Sequence, residues 1–135
     1  MDSAYEDIKQ ASRIVVKVGT STLTYDTGKA NIKRIDTLAR TLSDLHNLGK
    51  EIILVSSGAI GIAVGKLGLS EKPDDIKKRQ ALAAVGQCEL MFLYDKMFSE
   101  YSCTIAQILL TKDDLAIPRR KRNTQNTFNE LLAMG

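Results

Sequence analysis

Apolar residues fall along this chain in two kinds of block: short continuous runs, and longer segments in which they recur every three or four positions. Ile14, Val15, Val16 and Val18, closed by Gly19, form the first run. A short β-branched run ended by glycine predicts a strand buried on both faces. From Asn31 the apolar positions Ile32, Ile35, Leu38, Ala39, Leu42, Leu45 and Leu48 share one helical face, and Gly49 supplies the stop. Ile52-Ile53-Leu54-Val55 predicts a second buried strand, followed by a small-residue helix from about Ala59 to Leu67.

A long helical segment opens near Pro73 and runs through Ile76, Ala84, Val85, Cys88, Met91, Phe92 and Met97 toward Tyr101. Gly86 within it costs about 1 kcal/mol against alanine, so it predicts a close helix or backbone contact. A third strand is expected from Cys103 to Thr111, a polar loop from Lys112 to Asn126, and a last helix from Thr127 to Met134 with Gly135 at its cap. Strands alternating with helices predict an α/β fold, a three-layer αβα sandwich with a mainly parallel sheet. A helix ending at glycine is normally followed by another strand, so the sheet is expected to be incomplete at the C-terminus.

Size and composition narrow the classes. The 135 residues suit one domain, and 44% hydrophobic with 26% charged residues is an ordinary globular balance. The net charge of +3 is small and both signs are interspersed, which gives no argument for nucleic acid. Residues 1–12, taken as a leader segment, carry Asp2, Glu6 and Asp7 and no apolar run, so no targeting peptide is read there, and no membrane span is expected. Cys88 and Cys103 lack metal or redox spacing and read as small hydrophobes of a cytoplasmic protein. His46 reads as a surface residue, and no metal ligands are assigned.

Candidate chemistry lies at the strand ends, where open parallel sheets bind ligands. Gly19-Thr20-Ser21 and Ser57-Gly58-Ala59 each combine a glycine, which allows close backbone approach, with hydroxyl donors. Together they form a candidate cradle for anionic oxygens. Lys17 points along its strand toward that cradle, where an ammonium neutralises charge on a transferring phosphoryl group. Each feature also has a plain reading as a turn, or as a solvated lysine at a strand edge. Neither turn has P-loop spacing, and Gly58-x-x-Gly61-x-x-x-Gly65 is not a dinucleotide fingerprint.

Four blocks in order are more specific than any one: Val-Lys-Val-Gly-Thr-Ser at 16–21, Val-Ser-Ser-Gly-Ala-Ile at 55–60, Gln-Ala-Leu-Ala-Ala-Val-Gly-Gln at 80–87 and Ala-Gln-Ile-Leu-Leu-Thr at 106–111. From about Arg13 onward the chain resembles the glutamate 5-kinases of the amino-acid kinase family. The resemblance implies ATP-dependent phosphorylation of the L-glutamate side-chain carboxylate to γ-glutamyl phosphate, the first step of proline synthesis, with ATP and Mg²⁺ required. It implies that Lys17 is the catalytic lysine and that Lys17, Gly19, Thr20 and Ser21 bind ATP phosphates. Ser57, Gly58 and Ala59 would bind glutamate. It further implies feedback inhibition by proline and a homo-oligomer.

The family continues with a further strand, an acidic and amide-rich glutamate loop and the nucleotide-side segments. The chain therefore reads as the N-terminal portion of such a domain, truncated after residue 135 and inactive alone. Pro118-Arg119-Arg120-Lys121-Arg122-Asn123 departs from the family pattern of an aromatic and a leucine before the asparagine, and reads as a solvated loop near the site mouth. The long helix reads as core or subunit interface. Two alternatives stay open: a non-catalytic assembly module pairing through the open sheet edge, and an acetylglutamate, aspartate or uridylate kinase of the same fold.

Overall fold

A computed structural model describes residues 3–135, with side chains from Glu6 onward; the first two residues of the expected leader lie outside the described residues. The chain forms two compact units, one ending at Ile105 and one from Ala106 to Gly135.

The first unit is built on two parallel strands, β1 (Arg13–Val18) and β2 (Glu51–Ser56), paired in register from Arg13 opposite Glu51 to Val18 opposite Ser56. Between them lie a single turn, α2 (Thr20–Leu23), and the long α3 (Ile32–Asn47). After β2 come α4 (Ala59–Lys66) and α5 (Ile76–Ser99). The Asn31 side chain caps α3 by accepting from the Arg34 N–H at 3.1 Å. At the other end Gly49, with φ of 85°, closes the helix as the sequence predicts. Asp75 caps α5 through the Lys77 N–H at 2.8 Å. This α/β order with a parallel sheet is the predicted class.

The period of two along the strands decides what is buried. Val16 and Val18, with Ile52 and Leu54, face a core made by Ile35, Ala39 and Leu42 of α3 and Leu90, Leu93, Tyr94 and Phe98 of α5. The other face is open: Val15 is 60% and Val55 47% exposed. The expectation of strands buried on both faces is therefore corrected. A continuous β-branched run reports strand propensity, and it cannot report how many faces a neighbouring layer covers.

Two further expectations change, at residues 103–111 and at Cys88. Ser3–Gln10, within the supposed leader, contains a helix, α1. The Lys50 ammonium donates to the Lys9 carbonyl at 2.7 Å and to the Ala11 carbonyl at 2.6 Å, holding the end of α1 beside the start of β2. The run from Cys103 to Thr111 forms no strand among the described residues. Cys103 is buried and Ile105 packs on the core, but neither neighbouring strand offers these residues a ladder. An apolar run becomes a strand only when another backbone pairs with it. Cys88, read as a small hydrophobe, is exposed, because α5 turns its other face to the core.

In the second unit the polar loop expected from Lys112 is helical: α6 (Lys112–Ala116) and α7 (Pro118–Met134). Polarity hid the helix, since arginine, lysine and glutamine favour helix without creating apolar periodicity. Pro118 takes the first helical position, where its missing N–H costs nothing. At the start of α6 the Asp114 carboxylate reaches back to the Thr111 N–H at 2.8 Å and hydroxyl at 2.6 Å. Those bonds, the hydroxyl first, hold the Asp114 carboxyl below its ordinary value of 3.8. A depressed carboxyl stabilises the fold above the ordinary carboxylate range and loses that effect as pH falls through its folded value. Carboxyl-carbon NMR shifts should place the Asp114 midpoint below 3.8, and Asp114→Asn should expose the Thr111 amide to faster exchange. A midpoint at or above the ordinary value would contradict the capping role.

Candidate active site

Lys17 is the penultimate residue of β1, opposite Val55, on the sheet face turned away from the core. Its side chain is exposed and makes no ion pair among the described residues. The Nζ atom lies 3.8 Å from where a Cβ at Gly19 would be, so the amine sits over the turn that ends β1. That turn starts α2, with Gly19 in the capping position and Thr20 and Ser21 in its first turn. Arg34 fastens it to α3, its Nη1 donating to the Ser21 carbonyl at 3.0 Å. The Thr20 carbonyl accepts from the Thr24 N–H at 3.0 Å and the Thr24 hydroxyl at 3.1 Å.

The tip of β2 joins the tip of β1 directly. The Ser57 N–H donates to the Val18 carbonyl at 3.1 Å, while the Ser57 side chain remains exposed. Ser56 is held from below: its hydroxyl lies 2.7 Å from the Tyr94 hydroxyl and donates to the Ser57 carbonyl at 3.1 Å. Burial pushes the Tyr94 phenol above its ordinary value of 10.0, an effect that its hydrogen bond with Ser56 partly opposes. Tyr94 therefore stays a neutral anchor of α5 beneath the second tip.

Gly58 caps α4 with φ of 109° and ψ of −4°, the left-handed region. A Cβ there would stand 3.3 Å from Leu23 Cδ1 and 3.6 Å from the Thr20 Cα, so the two predicted turns touch through this glycine. Gly58→Ala should cost about 1–2 kcal/mol of stability through the left-handed backbone alone. Chemical denaturation checks this; an unchanged midpoint would mean that the turn relaxes freely.

The structure thus brings Lys17, Gly19, Thr20, Ser57 and Gly58 to one rim, with Ser21 on the same short helix. Ala59 is different: it opens α4 and presents its carbonyl to Gly86 of α5, so it supports the rim more than it lines it. The sequence pattern left Gly61 without a role. A Cβ there would lie 2.7 Å from Thr20 Cγ2, so a larger residue would push the Thr20 side chain aside where α4 meets α2. Gly65, a turn further along α4, meets backbone instead: a Cβ there would overlap the Gly28 carbonyl. The signal was the spacing of Gly58, Gly61 and Gly65, which marks close backbone packing here. An open cleft of about 360 Å³, lined by Ile60, Ile76, Arg79, Gln80 and Ala83, includes none of the predicted residues.

Glycine turns, exposed hydroxyls and an exposed ammonium fit a chain of phosphate oxygens. They do not by themselves fit a divalent cation: among the described residues no group of three or more His, Cys, Asp or Glu side chains is placed to hold one. No helix among the described residues is long and apolar enough to cross a membrane.

A parallel α/β sheet with small-residue turns at its strand tips and a lysine beside them defines an α/β domain with a candidate ligand site at the carboxyl ends of its strands. The family model described as "Amino acid kinase family" matches residues 12–135, and the chain belongs to that family. Similar proteins carry a narrower name. A "Glutamate 5-kinase" of Clostridium perfringens is 58% identical over 128 residues, 95% of this chain and 48% of that protein. One of Enterococcus faecalis is 58% identical over 127 residues, 94% and 47% respectively. One of Clostridium acetobutylicum is 47% identical over 135 residues, 100% and 51%. The chain spans about half the length of these relatives.

Proposed function

We propose that this chain supplies the phosphoryl-transfer rim of an ATP-dependent glutamate 5-kinase. One observation carries the reading: the two strand tips are tied by the Ser57 N–H to Val18 carbonyl bond, with the Lys17 amine standing over the first tip. The high identity to proteins of that name adds the substrate.

In this reading Gly19, Thr20 and Ser21 receive phosphate oxygens of ATP through backbone N–H and hydroxyl donors. Lys17 places its ammonium against the transferring group, where negative charge spreads over the equatorial oxygens. Ser57 and Gly58, with Ala59 behind them, present donors to glutamate. A side-chain carboxylate oxygen of glutamate attacks the γ-phosphorus, the bond from that phosphorus to the bridging β,γ-oxygen breaks, and ADP leaves with the electron pair. Catalysis is mostly positioning and charge stabilisation, so two rigidly joined tips suit it. Magnesium supplies charge neutralisation in reactions of this kind, but no residue described here is assigned to it. Proline as a feedback inhibitor, a homo-oligomeric assembly and a cytoplasmic location belong to the same proposal and rest on the resemblance.

The product distinguishes the candidates. A protein that continues this chain to the length of its relatives should form ADP only with glutamate present, and hydroxylamine should trap the acyl phosphate as a hydroxamate. Equal or faster turnover of acetylglutamate, aspartate or uridylate would overturn the assignment, as would ADP release without hydroxamate.

A further inference from the structure

The ladder between β1 and β2 ends at the pair Val18 and Ser56, so the residues that form the second strand tip lie beyond it. Gly58 there has φ of 109°, and a glycine readily leaves such a conformation unless the chain around it is held. Two restraints hold it. The peptide before Ser57 is fixed by the bond from the Ser57 N–H to the Val18 carbonyl. The peptide after Ser57 is fixed through its carbonyl, which accepts from the Ser56 hydroxyl at 3.1 Å. Because a peptide unit is planar, pinning that carbonyl also sets the direction of the Gly58 N–H. That N–H makes no backbone hydrogen bond among the described residues.

The Ser56 hydroxyl is held in turn. It lies 2.7 Å from the Tyr94 hydroxyl, which reaches it from α5, and Tyr94 is only 4% exposed. Around the Tyr94 ring the core is apolar: Leu90, Leu93 and Phe98 share its cluster, with the Phe98 ring centroid 6.3 Å away. Phenylalanine would fill that space with no hydroxyl to desolvate, and exchanging both members of a buried polar pair for apolar groups can be nearly neutral for stability. Packing accounts for the ring and leaves the hydroxyl to be explained.

We propose that Tyr94 is a positioning residue for the second tip: acting through the Ser56 hydroxyl, it fixes the Ser57–Gly58 peptide so that the Ser57 side chain and the Gly58 N–H converge on the acceptor substrate. The inference rests on the reading of Ser57 and Gly58 as the glutamate side of the rim. Tyr94 touches no reacting atom and brings no charge. Its loss should therefore weaken acceptor binding and leave the nucleotide side alone.

Two readouts test this. In the present chain, NMR relaxation should show the Ser57 and Gly58 amides as rigid, with order parameters of about 0.85, and Tyr94→Phe should lower them toward about 0.6. In a protein that continues this chain to the length of its relatives, Tyr94→Phe should raise KM for glutamate about threefold to tenfold, the range of one neutral hydrogen bond, with KM for ATP and kcat changed by less than about twofold. Ser56→Ala should raise it similarly, and the double variant should be no worse than either single, because both residues act through one chain of bonds. Thermal unfolding separates function from stability. Ser56→Ala strands the buried phenol and should lower the midpoint, whereas the double variant should recover it.

Amides that stay equally rigid in Tyr94→Phe overturn the proposal whatever the enzyme does, as do equal rises in KM for both substrates, or single effects that multiply in the double variant. If the starting protein forms no hydroxamate from glutamate, the phosphotransfer reading fails, and the relaxation result still decides whether Tyr94 holds the tip.

Discussion

Replacing Gly86 with alanine should destabilise the unit that ends at Ile105 by about 3 kcal/mol, the upper end for an overpacked core. On an exposed helix the same change would stabilise by about 1 kcal/mol, because alanine is the better helix former. Here the added methyl would overlap the Ala59 carbonyl oxygen and crowd its carbon, and Ala63 Cβ would stand at 3.1 Å. Backbone has no rotamer to give, so α4 must move off α5. Ile62 and Leu90, now buried, would then lose packing. Because a domain of this size loses about 4–8 °C per kcal/mol, the unfolding midpoint should drop by about 10 °C or more. An unchanged or raised midpoint would show that the helices do not pack this closely. The effect reaches the site too, since α4 begins at the second strand tip.

In a protein that continues this chain to the length of its relatives, Lys17→Ala should lower kcat for glutamate-dependent ADP formation by about 10²–10³-fold, the usual cost of removing one preorganised donor to developing charge. Stability should barely change, because the side chain is exposed and unpaired among the described residues. That pair of outcomes separates a chemical role from a structural one. If the variant kept kcat within about threefold, the loss would be below about 1 kcal/mol by the relation between rate and barrier, and the lysine would have no role in the transition state. Lys17→Arg should recover some of the rate, since charge is restored on a differently shaped group.

The elements that were read well from the chain share a physical trait: local pattern and local stop signal agree. α3 begins with its Asn31 cap and ends at Gly49, and β1 and β2 have short β-branched runs closed by small residues. Where the pattern was polar, as through Arg119 to Asn126, helix propensity had no periodic signature, and a helix passed for a loop. At Cys103 to Thr111 the pattern was right for a strand, but pairing is a property of two segments. The same holds for the site. That Lys17, Gly19, Thr20, Ser57 and Gly58 meet at one rim was legible because the ends of neighbouring parallel strands lie side by side. Gly61, Tyr94 and Arg34 were not, because each acts on a residue distant in the chain: Thr20, Ser56 and Ser21.

The order of apolar blocks, the glycine stops and the small-residue turns belong to the sequence alone, and they determined the α/β class and the placement of those turns at the strand ends. Tertiary structure decided which side of each strand is covered, that the two tips join through one backbone bond, and that three glycines of α4 and α5 are there for contact. The reason is range. Periodicity and capping act within a few residues and are written locally, whereas coverage and close approach depend on partners tens of residues away that only the folded chain brings together.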